Sequence, residues 1–306
     1  MKHEFEDPRV AKKLDLEHIY LAIVSSQYNR LQELCEICIL ENEYEEITRL
    51  LAMTKANPPT LEDIRRMMDF VWDEIGCDNK KYDLERLKRF YNHPIWLLNG
   101  LFIENDPVSK GHRKVISEYV CKLGEGLSIL EYGGGFGTLA REITRQSPEM
   151  KVDILEPNPS RLALKLADGN IRFITDLNAE YDCCVCMDVL EHVPDPLKTL
   201  SEMISSVKKD GHLLIANCFY PVIKCHLPDT FHLRNTFRLF TRLMGLKRIC
   251  NCEGSHAVLY RKESESGFDW GKLRYFEKCS KALHTPLYPI YEIVRFGLRT
   301  ARKAFS

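Results

Sequence analysis

The chain has 306 residues, 44% hydrophobic and 28% charged, with a formal net charge of −1. This is globular composition, long enough for one large domain or two smaller ones, and it excludes the global basic field that gathers nucleic acid. No run of 18 apolar residues occurs and the charged N-terminus has no secretory core, so neither a transmembrane helix nor export is expected; the expected location is the cytoplasm.

Residues 1–95 read as a helical, somewhat acidic region. "LEHIYLAIVSSQYNRLQELCEICILENEYEEITRLLAM" places apolar residues at helical spacing. "ANPPT" interrupts it, and Thr60 with Asp63 then reads as an N-cap and acidic first turn for "LEDIRRMMDFVWDEI". Residues 91–113 carry aromatics, Pro94 and Gly100, and read as a connection rather than one continuous helix.

From about 114 the pattern changes. "HRKVISEYVCKL" is a helix and "LSILEY" a short buried strand. Helical "FGTLAREITRQ", strand "KVDILE", helical "PSRLALKLAD" and strand "IRFIT" follow, then strand "YDCCVCMDV", helical "DPLKTLSEMISSVKK" and strand "GHLLIANC". "HLRNTFRLFTRLMG" is a helix, and "LKRICNCEG" with "HAVLYRK" closes the series as a tightly joined antiparallel pair. Short apolar runs alternating with helices predict an α/β fold, a mostly parallel sheet covered on both faces.

Twelve cysteines are present. Several lie in strand-like apolar runs, where a thiol acts as a small hydrophobe. Cys35 and Cys38 form one CxxC without a second pair, so a metal site is not expected, and no CxxxCxxC of a radical iron–sulfur enzyme occurs.

"LEYGGGFG", residues 130–137, puts four glycines into five positions between a buried strand and a helix. That is where the backbone of an open α/β sheet approaches a ligand at the carboxyl ends of its strands. A dinucleotide fingerprint starting at Gly133 would need Gly or Ala where Thr138 stands. The motif instead resembles that of class I S-adenosylmethionine-dependent methyltransferases of the small-molecule, ubiquinone/menaquinone-methyltransferase-like type: hydrophobic, acidic, hydrophobic, Gly-x-Gly-x-Gly. "KVDILEPNP", "FITDL" and "YDCCVCMDVLEHVPDP" follow in the family's order, and the resemblance covers about residues 112–262.

The resemblance implies a Rossmann-like seven-stranded, mostly parallel sheet with an antiparallel last strand, and S-adenosylmethionine as cofactor. It assigns the methionine end to Glu131, Tyr132, Gly133, Gly135 and Gly137, the ribose hydroxyls to Glu156, and adenine to Asp176 and Leu177. Asp188 and Val189 of the fourth-strand signature complete the cofactor set. His192 is the candidate general base, with a helix-start histidine as the alternative. Tyr220, His226, His232 and Arg234 follow the fifth strand, where relatives contact the acceptor; a structural role for His232 is the alternative. Tyr91, His93 and Trp96 are candidates for an acceptor wall built by the N-terminal region.

The position that would carry [DNS]-P-P-[YFW] in amino-methyltransferases reads "MDVL", so a small-molecule, lipid-linked or sugar-linked acceptor is expected and nucleic acid is not. The expected division is a helical N-terminal region over 1–95, the methyltransferase domain over 96–265 and a basic amphipathic tail with a C-terminal helix over 266–306. From 271 to 306 there are eight basic and two acidic residues. Residues 286–305 would either dock on the acidic N-terminal region or lie peripherally on an anionic membrane. Competing readings are a non-catalytic cofactor-binding interaction protein and an NAD(P)-dependent oxidoreductase, the latter disfavoured by Thr138 and "DVLEH".

Overall fold

A computed structural model describes residues 39–167, 169–264 and 267–284. Cys35, Cys38 and the tail 286–305 lie outside the described residues, as does the start of the long N-terminal helical run.

Among the described residues four helices come first: α1 (Glu41–Leu51), α2 (Leu61–Ile75), α3 (Leu84–Tyr91) and α4 (Ile95–Asn105). Local chemistry sets their ends. Thr60 accepts the Asp63 N–H, the Asp63 carboxylate accepts the Thr60 N–H, and Gly76 closes α2 in the left-handed region at φ +75°. The stretch expected as a connection, 91–113, is instead two helices, α4 and α5 (Pro107–Cys121). Asp106 caps α5 by accepting the Ser109 N–H at 2.7 Å, and Pro107 takes its first position. Gly100 does not break α4, because the ring of Phe136 packs there: a Cβ would lie 2.7 Å from Phe136 Cδ2.

The sheet follows: β1 (Ser128–Tyr132), α6 (Thr138–Gln146), β2 (Lys151–Leu155), α7 (Arg161–Leu166), β3 (Ile171–Ile174), β4 (Tyr181–Met187), α8 (Pro196–Ser205), β5 (Val207–Ala216), α9 (Leu233–Leu243), β6 (Leu246–Asn251) and β7 (Val258–Lys262). A last helix, α10, runs over 270–284. Helix α8 stops at Ser205, so the "VKK" expected at its end opens β5, where Val207 pairs with Tyr181 across a register shift.

The strand order is β3-β2-β1-β4-β5-β7-β6. All pairs are parallel except those of β7, which is antiparallel to both β5 and β6. The sheet is thus the seven-stranded, Rossmann-like arrangement expected. Alternation splits its core. Leu130, Cys184, Cys186, Leu213 and Ile215 face α8, α9 and Leu273 of α10. Ile129, Val152, Ile154, Cys183, Val185 and Leu214 face α5 and α6. The β4 cysteines are wholly buried apolar filling and free thiols.

The chain leaves β1 toward β2 and β3 on one side and returns to β4 and β5 on the other. The carboxyl ends of β1 and β4 therefore flank the point where strand order reverses, the place for a ligand in such sheets. The α1–α4 helices cap the molecule. Their core of Met67, Trp72, Phe90 and Leu98 also takes in Phe136 of the glycine loop, Leu162 of α7, and Cys225 and Leu227 of the loop after β5.

Candidate active site at the β1/β4 switch point

The loop after β1 is built so that its backbone is exposed on one side. Gly133, Gly135 and Gly137 all take positive φ, between +52° and +70°. At Gly133 the N–H donates to the Leu155 carbonyl at 2.8 Å, and an added Cβ would lie 2.6 Å from Val189 Cγ2. At Gly135, φ +52°, an added Cβ would meet nothing within 4 Å. Gly133 is therefore required by the fold, whereas Gly135 borders open space.

Two carboxylates frame the loop. Glu131, buried at the end of β1, accepts the Ala140 N–H at 3.0 Å and so ties β1 to the first turn of α6. Burial pushes its carboxyl up to about 7, against the opposing charges of Arg113 and Arg141. Glu156, just after β2, accepts the Gly135 N–H at 3.0 Å and the Asn158 N–H at 3.3 Å; burial raises it too. Glu104 of α4 accepts the Thr138 hydroxyl at 2.5 Å and pairs with Arg141, fastening the cap to α6.

Tyr132 faces α8, its hydroxyl donating to Glu202 at 2.9 Å. Asp176 is exposed after β3 and accepts the Thr175 hydroxyl at 2.8 Å, while Leu177 packs on the α8–α9 side of the core. Asp188, after β4, holds a positive φ of +54°, unusual for a side chain. Its carboxylate meets His256 Nε2 at 2.9 Å. Hydrogen bonding to Asp188 raises the His256 imidazole above its ordinary value, even against burial. The His112 ring crosses the His256 ring at 5.3 Å.

Beyond Asp188 the chain turns through Glu191 and His192. Glu191 is fully buried; one carboxylate oxygen accepts the Cys218 N–H at 2.8 Å and its backbone carbonyl accepts the Leu227 N–H at 2.8 Å. Burial, then the neighbouring Asp188, pushes its carboxyl up to about 8. His192 faces the adjoining Tyr91 and Trp96 rings of the cap, at 6.4 and 6.2 Å, and lies against His226 at 4.7 Å. Burial, then His226, pushes the His192 imidazole down to about 3, so it is neutral at pH 7. His226 is likewise buried and lowered.

The structure thus gathers Glu131, the glycine loop, Glu156, Asp188 and Val189 at one edge, with His192, His226, Tyr91 and Trp96 beside them. His93 turns away: its Nδ1 accepts the Ile95 N–H at 3.1 Å and its Nε2 meets Glu46 at 3.3 Å. His232 is buried toward α10, Nδ1 at 2.8 Å from the Ser280 hydroxyl. Arg234 stacks 3.6 Å over the Tyr220 ring and donates to the Phe219 carbonyl, so the pair braces its own loop. Sequence reasoning did not select Glu191 or His256. Glu191 stands inside the quoted "LEHV"; His256 lies 68 residues from its partner, with no local signal.

Comparison with known proteins agrees with this geometry. A family model described as a methyltransferase domain matches residues 108–242. The ubiquinone biosynthesis O-methyltransferase of Vibrio cholerae serotype O1 is 25% identical over 180 residues, covering 55% of this chain and 63% of that protein. The enzyme of the same name from Xylella fastidiosa is 30% identical over 164 residues, covering 49% and 64%. The chain therefore spans somewhat under two thirds of these relatives' length. In fold, it is similar to an O-methyltransferase family protein from Burkholderia thailandensis, with a TM-score of 0.50 and 17% identity over 67% of this chain and 71% of that one. The glycine loop, the paired acids and the strand order thus lie within or beside the stretch, residues 108–242, that matches the methyltransferase-domain model.

Proposed function

We propose that the chain transfers a methyl group from S-adenosylmethionine to a small-molecule acceptor by in-line displacement. The observation that carries this reading is Gly135: a backbone N–H beside the Glu156 carboxylate, with open space where a side chain would stand. The cradle fits the cofactor, because a ribose offers two hydroxyl donors to a carboxylate and the sulfonium centre needs a close, anionic wall. When bound, S-adenosylmethionine supplies an activated methyl group.

The residues then divide the work. Glu156 holds the ribose, Gly133–Gly137 give backbone approach, and Glu131 fixes the loop through Ala140. Asp176 and Leu177 face the adenine end, and Asp188 and Val189 close the floor at β4. The cap over residues 41–105 covers the acceptor side and excludes water through Tyr91 and Trp96. A neutral His192 accepts a hydrogen bond from the acceptor rather than holding a proton for long, because its charged form is strongly disfavoured. The O-methyltransferase relatives favour an oxygen as the acceptor atom. Among the described residues no helix is long and apolar enough to cross a membrane. Contact of 286–305 with an anionic surface would suit a lipid-linked acceptor, and vesicle sedimentation checks it.

Calorimetric titration with S-adenosylmethionine, NADH and a Glu156→Ala variant tests the reading. Selective binding of S-adenosylmethionine, weakened at least about tenfold by the variant, supports it. Preference for NADH overturns the cofactor assignment. Cofactor binding without S-adenosylhomocysteine formation across an acceptor panel would favour an interaction protein.

A further inference from the structure

Four carboxyl groups stand around the glycine loop, and the methyl-transfer reading gives work to three of them. Glu131, Glu156 and Asp188 follow the ends of β1, β2 and β4. The fourth, Glu104, comes from the cap, 34 residues before the helix start that it touches. Its side chain is only 15% exposed. One oxygen, Oε1, accepts the Thr138 hydroxyl at 2.5 Å and pairs with Arg141. Thr138 is the first residue of α6 and Arg141 the fourth, so this carboxylate rests on the first turn of a nine-residue helix.

That place has a known electrostatic use. The positive end of the helix after a glycine loop is where the phosphates of a nucleotide settle. Here a carboxylate of the protein already stands there and already engages the nearest guanidinium. The neighbouring donors are committed in the same way. Glu131 accepts the Ala140 N–H and Glu156 the Gly135 N–H, each at 3.0 Å. Arg113 lies among Glu131, Asp188 and Glu104 and donates to the Ser109 carbonyl at 3.2 Å. Four carboxyl groups thus face two guanidiniums, those of Arg113 and Arg141, with the His256 imidazole on Asp188. A pyrophosphate brought to the loop meets like charge, whereas a sulfonium cation meets opposite charge. Thr138 fits the same account: a dinucleotide loop has Gly or Ala at this position, with no hydroxyl to hold a carboxylate.

We infer that Glu104 is a specificity-determining residue. Held by Thr138 and Arg141 over the start of α6, it shuts phosphate-bearing nucleotides out of the glycine loop and leaves the loop to a cofactor without phosphate. Glu104 belongs to the cap and the loop to the sheet, so the cap selects the cofactor as well as covering the acceptor side. This inference rests on the S-adenosylmethionine reading of the site.

The test is a gain of binding, which a merely structural contact would not produce. Full-length wild type, Glu104→Gln and Thr138→Ala are titrated by calorimetry with inorganic pyrophosphate, NADH and S-adenosylmethionine, after circular dichroism has checked each fold. Glu104→Gln removes the charge and keeps an oxygen that can accept from Thr138. It is expected to bind pyrophosphate at least about tenfold more tightly than wild type, and its ratio of NADH to S-adenosylmethionine affinity should rise at least about tenfold. The gained pyrophosphate binding should fall with added salt and should vanish in Glu104→Gln/Arg141→Gln, which lacks the freed guanidinium. If wild type binds S-adenosylmethionine and Glu104→Gln gains nothing for either phosphate ligand, the inference is overturned and the cofactor reading stands. If folded wild type binds no S-adenosylmethionine, or prefers NADH, the cofactor reading itself fails and the inference with it. Should Glu104→Gln not fold, Thr138→Ala decides, because it releases the carboxylate from its hydroxyl donor: a gain for pyrophosphate supports the role of Glu104, and none overturns it.

Discussion

Gly135 and Gly126 offer a controlled comparison. Both take positive φ, +52° and +62°, and an added Cβ at either would meet nothing within 4 Å. Alanine at each incurs the same backbone strain, about 1–2 kcal/mol, partly offset by about 0.4–1 kcal/mol through a less disordered unfolded chain. Both variants should therefore melt within a few degrees of wild type. Their ligand binding should differ. Gly126 lies in the turn before β1, whereas Gly135 faces the space assigned to the cofactor. A methyl forced into occupied space costs about 1–3 kcal/mol, so Gly135→Ala should weaken S-adenosylmethionine binding about 5- to 150-fold. Gly126→Ala should bind like wild type. Scanning fluorimetry and calorimetry on the three proteins decide the matter. If Gly135→Ala keeps wild-type affinity at unchanged stability, the open side of the loop is not the cofactor's side.

His192 makes a second prediction, with a definite sign. Its folded value, about 3, lies below the ordinary 6.5, so below about pH 6.5 the unfolded chain takes up a proton that the native protein refuses. Wild type should lose about 2–3 kcal/mol from this group by pH 4.5, and His192→Gln should show a visibly shallower acid slope in denaturant titrations. An unchanged slope would mean that His192 is protonated in the native state. His256 has the opposite sign: its raised value means that its pairing with Asp188 stabilises the fold fully below pH 6.5 and fades as pH rises through the folded value. The stability gap between wild type and His256→Gln should accordingly be larger at pH 6 than at pH 9; a gap that grows with pH would contradict the pairing.

The sheet and the glycine loop were legible because their signals are local. A buried strand, a glycine cluster and an amphipathic helix follow one another within "LEYGGGFGTLARE", and β2 and β4 repeat the strand-then-acid pattern. Asp-Pro pairs at 106–107 and 195–196 mark two helix starts by the same cap chemistry. What escaped was set by distant contacts. Gly100 reads as a breaker until Phe136, 36 residues on, fills the space beside it. Val207 reads as helix until Tyr181 offers a strand to pair with. The meeting of His192 with His226, and of Asp188 with His256, depends on two loops folding back over the β4 end, which no spacing in the sequence encodes.

Phe136 belongs to two structures at once. It stands within the glycine loop, and its ring is buried in the core of the α1–α4 cap against Gly100, with the Arg141 guanidinium 5.6 Å from its centroid. Whatever stiffens the loop therefore stiffens the cap. By linkage the effect is reciprocal: an occupant beneath the cap must tighten cofactor binding by the same factor as the cofactor tightens its own. Slower hydrogen exchange across residues 84–105 when only the loop is filled would be the signature of that coupling, and two ligands would then cooperate without touching.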